Sequence, residues 1–279
     1  MGWRYFLPVL LGVTACDPVT LPAPSERAVT LGVHEAGGRG PPATPPGRVA
    51  ATPYGGFVSE SEYRRYEEMD RLGGWGALEL GAEQALALAR GMAVAEIGCG
   101  PGPALRQLAD AVGASGTIYE VDVDPNALAF IERRRARIAS VSEKPLPRVV
   151  TVLSSFTDVG LAPGSIDRAY LQEVHNYAFL PHAATPALAR ARYEAEQGAW
   201  TRSVHAALRP GGRLVIREML PEVNRGATYG PEETVAFVEG TGLFRQLALG
   251  AQNDTRHYLL AFQRIDPTPG AGGSSAEPR

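Results

Sequence analysis

The feature that most constrains this chain is Val94-Ala95-Glu96-Ile97-Gly98-Cys99-Gly100-Pro101-Gly102, an apolar run that ends in glycines at alternate positions. The residues up to Ile97 read as a buried strand, and glycine tolerates positive φ and a close backbone approach. One glycine suffices for an ordinary tight turn between a strand and a helix. Three at alternate positions point to a loop on which a ligand lies against the main chain. A strand that feeds a helix through such a loop is the first unit of a βαβ fold, and it commits the chain to a parallel sheet.

The remaining sequence supplies that sheet. β-type runs at 93–97, 117–121, 148–153, 168–171 and 213–217 alternate with helical stretches at about 103–112, 125–138 and 187–208. The end departs from this alternation, because 232–239 reads as a helix and 243–249 and 257–263 as a closing strand pair. The expected class is α/β: a Rossmann-like, doubly wound, mainly parallel seven-stranded sheet with an antiparallel last strand and helices on both faces. Two helices precede the first strand. One is capped by Ser59 or Ser61 and runs through Tyr63, Tyr66, Met69 and Leu72; the other covers about 77–90.

In this architecture ligands sit beyond the carboxyl ends of the strands. The second β run ends in Asp122, which can accept both hydroxyls of a ribose. NAD is the first ligand to weigh, but its fingerprint places the third glycine one position later, where the helix packs closely on the strand. That position is Pro103. The fourth strand carries Asp167, which organises its start, and leaves through Gln172-Glu173-Val174-His175-Asn176-Tyr177. His175 titrates near neutrality and is the candidate base at that edge, with Tyr177 and His182 behind it. No group of Cys, His and carboxylates has metal-ligand spacing, so no metal is expected.

Three segments in order, Glu96-x-Gly98-x-Gly100-x-Gly102, Val121-Asp122-Val123-Asp124-Pro125 and Leu208-Arg209-Pro210-Gly211-Gly212, resemble the motifs of class I methyltransferases. The likeness is closest to the ubiquinone-biosynthesis-type group and covers about Gly91 to Arg264. It implies S-adenosyl-L-methionine as cofactor, with Gly98, Gly100 and Gly102 beside its methionine part, Asp122 on the ribose and Val123 against adenine. Glu96 then acts through water or backbone. The family commonly places an aspartate after the third strand to meet the adenine amino group, whereas here Ser155 stands near that position. Ser155 or the main chain of Phe156 is expected to take over, with Asp158 as a further candidate. The implied reaction is methyl transfer to a small-molecule or lipid-like acceptor. Such an in-line displacement depends on holding donor and acceptor together and needs a base only for an acidic acceptor. The alternative is a catalytically degenerate member that serves as a binding or scaffold lipoprotein.

Residues 1–15 read as a signal peptide, with the apolar run Tyr5 to Val13 followed by Val13-Thr14-Ala15-Cys16. Small residues before a cysteine resemble the bacterial lipobox, so Cys16 is the expected lipidation site. The protein is then exported and lipid-anchored at a bacterial membrane on the periplasmic side, the alternative being cytoplasmic. Residues 16–53 form a Pro/Gly-rich flexible linker and 266–279 a disordered tail. Between them lies the domain, 54–265, with an N-terminal helical cap at 54–91. A net charge of -3 supplies no field for nucleic acid, which is not an expected partner.

Overall fold

A computed structural model describes residues 63–65, 67–68, 80–142, 144–174, 186–223, 229–247 and 256–266. In chain order its labelled elements are α1 (Leu80–Leu86), β1 (Ala93–Ile97), α2 (Leu105–Val112), β2 (Thr117–Asp122), α3 (Pro125–Val141) and β3 (Arg148–Leu153). There follow β4 (Ile166–Gln172), α4 (Pro186–Ala207), β5 (Leu208–Met219), α5 (Pro231–Gly240), β6 (Phe244–Gln246) and β7 (His257–Arg264).

The seven strands form one sheet in the order β3-β2-β1-β4-β5-β7-β6. Strands β1 to β5 pair in parallel, and β7 runs antiparallel to both of its neighbours, β5 and β6. The winding reverses between β1 and β4, so the connections leaving their carboxyl ends diverge and open a crevice there. The glycine turn follows β1 at that point.

Both faces of the sheet are covered, which is why the central strands read as continuous apolar runs. Val94, Ile118, Tyr170, Val215 and Ala261 point to one face, against Leu105 and Leu108 of α2 and Leu128 and Ile131 of α3. From the same strands Ala95, Val121, Leu171, Leu214, Ile216 and Phe262 point to the other, against Trp200 and Val204 of α4 and Val238 of α5. Helix α2 buries Leu105, Leu108, Ala109 and Val112, one stripe at helical spacing. Helix α3 starts at Pro125 behind Asp124, whose side chain accepts the Asn126 N–H at 2.9 Å.

Two boundaries depart furthest from the sequence expectation. Strand β5 begins at Leu208, not Arg213, because Leu208 pairs with Ile166 and Arg213 with Arg168, while Arg209 to Gly212 loop out of the ladder. Gly211, at φ +76°, permits that excursion. The second N-terminal helix is shorter than expected: it ends at Leu86, where Ala87 adopts φ +44°. Of the first expected helix, residues 63–65 and 67–68 are helical, and Tyr66, Met69 and Leu72 lie outside the described residues.

Candidate active site

At the glycine turn, Gly98, Gly100 and Gly102 take φ values of +68°, +47° and +68°. The N–H groups of Gly98 and Cys99 donate to the Val121 carbonyl at 2.7 and 3.0 Å. Gly102 donates to the Cys99 carbonyl at 2.6 Å and Leu105 to the Gly102 carbonyl at 3.2 Å. Gly100 donates to Asp122 Oδ2 at 2.7 Å, and Ala104 to Glu96 Oε1 at 3.2 Å. Pro101 and Pro103 have no N–H. Every main-chain donor from 98 to 105 is therefore used inside the protein. Phosphate groups are held at such turns by free N–H donors, and this turn has none to offer. Among the described residues no donor reaches the carbonyls of Gly98 and Gly100. A turn that presents acceptors and no donors suits a ligand carrying positive charge or N–H groups.

Two of the glycines also serve packing. A Cβ on Gly98 would collide with the methyl groups of Val174, and one on Gly102 with Ile131 Cδ1. Gly98 thus lets the exit of β4 pass close beside β1, and Gly102 lets α3 close on the turn.

Asp122 is 7% exposed, and its Oδ1 accepts the Asp124 N–H at 2.8 Å while Oδ2 holds Gly100. Burial pushes its carboxyl upward, against the opposing effect of these N–H donors. The Val123 N–H also leans on this carboxylate, which keeps acceptor capacity for a ligand hydroxyl. Val123 is half-buried beside it. Across the ladder from Asp122 stands Leu153, a large apolar side chain that is 36% exposed at the carboxyl edge. Sequence reasoning missed it, since an isolated leucine at a strand end carries no signal.

Ser155 folds into its own turn: its Oγ accepts the N–H groups of Thr157 (3.3 Å) and Asp158 (3.0 Å), and its N–H donates to the Asp158 carbonyl. Phe156 is half-buried next to it. Asp158 Oδ1 receives the Gly160 N–H at 2.9 Å and the Ser203 hydroxyl of α4 at 2.7 Å, which ties it to the helix.

At the exit of β4, the candidate base His175 lies outside the described residues, as do Asn176, Tyr177 and His182. What the structure assembles there is a cluster from three strands. Glu173, at φ +56°, is one of two non-glycine residues with positive φ among the described residues. Its Oε1 accepts from Arg217 Nη1 of β5 and from His257 Nε2 of β7, both at 3.1 Å, and Arg217 Nη2 meets His257 Nδ1 at 2.9 Å. Arginine only donates, so Nδ1 is the accepting nitrogen and Nε2 carries the proton. Arg217 is 6% exposed. The three residues are far apart in sequence, and only the strand order brings them together. The Val174–Gly98 packing sets this cluster beside the cofactor turn.

The N-terminal segment reaches the same region. Tyr63 stacks on Phe130 of α3 with ring centroids 4.7 Å apart, and Glu67 pairs with Arg137 at 3.0 Å. Burial and the nearby Asp124 and Asp122 push the Tyr63 hydroxyl upward, keeping it protonated.

Residues 94–212 match the family of methyltransferase domains. An uncharacterised transposon-borne protein of Streptomyces fradiae is 33% identical over 166 residues, 57% of this chain; the chain spans only 41% of that relative. Among solved structures, a SAM-dependent methyltransferase from Aquifex aeolicus has a TM-score of 0.53 at 17% identity, over 75% of this chain and 100% of the other. One from Methanosarcina mazei has a TM-score of 0.45 at 15% identity, over 62% and 92%. The segment 94–212 thus matches a methyltransferase domain, the chain folds as a SAM-dependent methyltransferase does, and the acceptor-only turn with Asp122 beside it fits S-adenosylmethionine.

Proposed function

We propose that this protein transfers a methyl group from S-adenosylmethionine to a small-molecule or lipid-like acceptor. The observation that carries the reading is the glycine turn whose N–H groups are all engaged within the protein, next to a buried Asp122 with lone pairs to spare. That arrangement rejects a pyrophosphate and accepts a cationic amino acid joined to a ribose. Bound there, the cofactor supplies an electrophilic methyl group on a sulfonium.

The residues divide the work along the carboxyl edge. The carbonyls of Gly98 and Gly100 would accept from the ligand's ammonium group, and Asp122 from its ribose hydroxyls. Val123 and Leu153 offer apolar surface for the adenine, with Ser155 and the Phe156 main chain nearest its polar rim. Glu96 acts from beneath, through the Ala104 N–H. On the acceptor side, Glu173 is held by Arg217 and His257 through one oxygen, which leaves the other to orient an N–H or O–H and to take its proton. His175, two residues further on in the sequence, is the second candidate for that proton. The ubiquinone-type likeness of the motifs favours a small or lipid-like acceptor, and an acylated Cys16 would hold the domain at a membrane where such molecules reside.

Titration of the full chain with S-adenosylhomocysteine tests the reading: saturable heat and a raised melting temperature are expected. Absence of both, with S-adenosylmethionine as well, would end it. Labelling cells with a tagged fatty acid tests the anchor, since Cys16→Ser should abolish the label.

A further inference from the structure

Beneath the glycine turn lies a polar cluster with no counterpart elsewhere among the described residues. Glu96 and Glu120 are register partners on β1 and β2, on the face that α2 and α3 cover. They are 1% and 0% exposed. Apart from the Ala104 N–H on Glu96 Oε1, no donor among the described residues meets Glu96 Oε2 or either oxygen of Glu120. The two carboxyl groups face each other across the ladder, with the Cys99 thiol close by. Two neighbouring carboxyl groups in a dry core are stable only while one of them keeps its proton. Arg134 of α3, 0% exposed, donates from Nη1 to the Pro101 carbonyl at 2.9 Å and to the Gly102 carbonyl. Its charge favours ionisation of both glutamates.

We propose that Glu96, Glu120 and Arg134 form one buried network that shares a proton and fixes the glycine turn, so that cofactor affinity falls once both carboxyl groups ionise. The proposal rests on the cofactor reading above and concerns the regulation of that site. One cation faces two carboxyl groups in a dry core, and the cluster is neutral only while one of them stays protonated. Burial raises Glu96 to about 7 and Glu120 well above the ordinary 4.5, and the pair titrates as a unit. The other titratable groups facing it are the Cys99 thiol of the turn and Asp122 at the end of β2, with Asp124 and the Tyr63 hydroxyl next to these in turn. None of these supplies positive charge. A second carboxylate therefore draws the Arg134 guanidinium away from the Pro101 and Gly102 carbonyls, and the half of the turn that it holds loosens. Arg134 and Glu120 are positioning residues, for they act through the turn and not on the ligand itself.

The test is calorimetric titration of the full chain with S-adenosylhomocysteine from about pH 6 to 9, in wild type and in Glu120→Gln, Arg134→Lys and Arg134→Met. The wild type should lose roughly tenfold in affinity toward the alkaline end. Glu120→Gln should flatten that dependence. Arg134→Met should weaken binding throughout, and Arg134→Lys should restore part of the loss. An infrared spectrum at about pH 8 should show a protonated-carboxyl band in wild type that Glu120→Gln removes. Binding that is tight and independent of pH in wild type, or a pH profile that Glu120→Gln leaves unaltered, overturns the network while the cofactor reading stands. Absence of binding at every pH overturns both. Should the variants fail to fold, the wild-type pH profile and infrared band decide alone.

Discussion

Strands β4 and β5 carry an ion-pair cluster at each end, and the two ends are built differently. At the amino edge, Arg209 Nη1 grips both oxygens of Asp167 at 2.8 and 2.9 Å, and Asp167 accepts the Ala93 N–H at 2.8 Å. The Arg209 side chain is 48% exposed. At the carboxyl edge, Arg217 is nearly buried, shares Glu173 with His257, and the backbone of Glu173 is held in the left-handed region. The amino-edge pair ties three strands in register with solvent close by, and exposed pairs contribute little energy. The carboxyl-edge cluster holds charge in a dry place and strains a glutamate, costs that a fold bears where a group must be aimed. The same two strands thus carry an exposed pair at one end and a buried, strained cluster at the other.

The strongest way to break this contrast is a pair of aspartate substitutions. Asp122→Ala should weaken S-adenosylhomocysteine by roughly 100-fold, about 3 kcal/mol, because it removes charge-assisted acceptors at the carboxyl edge. Asp167→Asn at the amino edge should leave that affinity within about twofold. Comparable losses in calorimetry would erase the distinction.

The arginines come next. Arg217→Met leaves Glu173 and His257 without their shared donor and should lower unfolding free energy by about 2–4 kcal/mol. Arg209→Met should cost under about 1 kcal/mol. Denaturant melts of the two variants would show whether burial, and not pair count, sets the energy.

Glu173→Gly probes the strain itself. Glycine accepts φ +56° freely, so the variant should be about 1 kcal/mol more stable than Glu173→Ala, although both leave the buried Arg217 without its carboxylate, and methyl transfer should collapse in both. Undiminished turnover with the variant would move the acceptor-side role to His175.

The smallest effect is in the pH dependence of stability. Glu96 is raised from 4.5 to about 7 in the fold, so the folded chain keeps a proton that the unfolded chain releases. Its contribution is complete below the ordinary value, declines as pH climbs through that window and is level above it. The melting temperature should drift down by a few degrees across the window, and Glu96→Gln should lessen the drift. An unchanged drift would show that other groups carry it.

Much of the frame was legible in the residues. Strands β1 and β3 lie where their apolar runs stand, α2 and α3 where helical periodicity and the Asp124-Pro125 start put them, and the glycine turn and Asp122 fall side by side. What these have in common is locality: strand, turn and cap are each decided by a handful of consecutive residues. The long start of β5 was not legible, because Pro210 and the glycines signal a turn, while the ladder to β4 resumes on both sides of them.

The chain's local chemistry determined the order of elements, the parallel winding, the glycine turn and the acidic residue beyond the second strand. Tertiary structure alone decided which distant groups meet: Glu173 with Arg217 and His257, Glu96 with Glu120, and Arg134 with the carbonyls of the glycine turn. An isolated arginine or glutamate in a sequence is most often a solvated surface group, and nothing in its neighbours says otherwise. Only the register of strands and the closure of α3 on the turn remove the water, and with the water gone these charges must find one another.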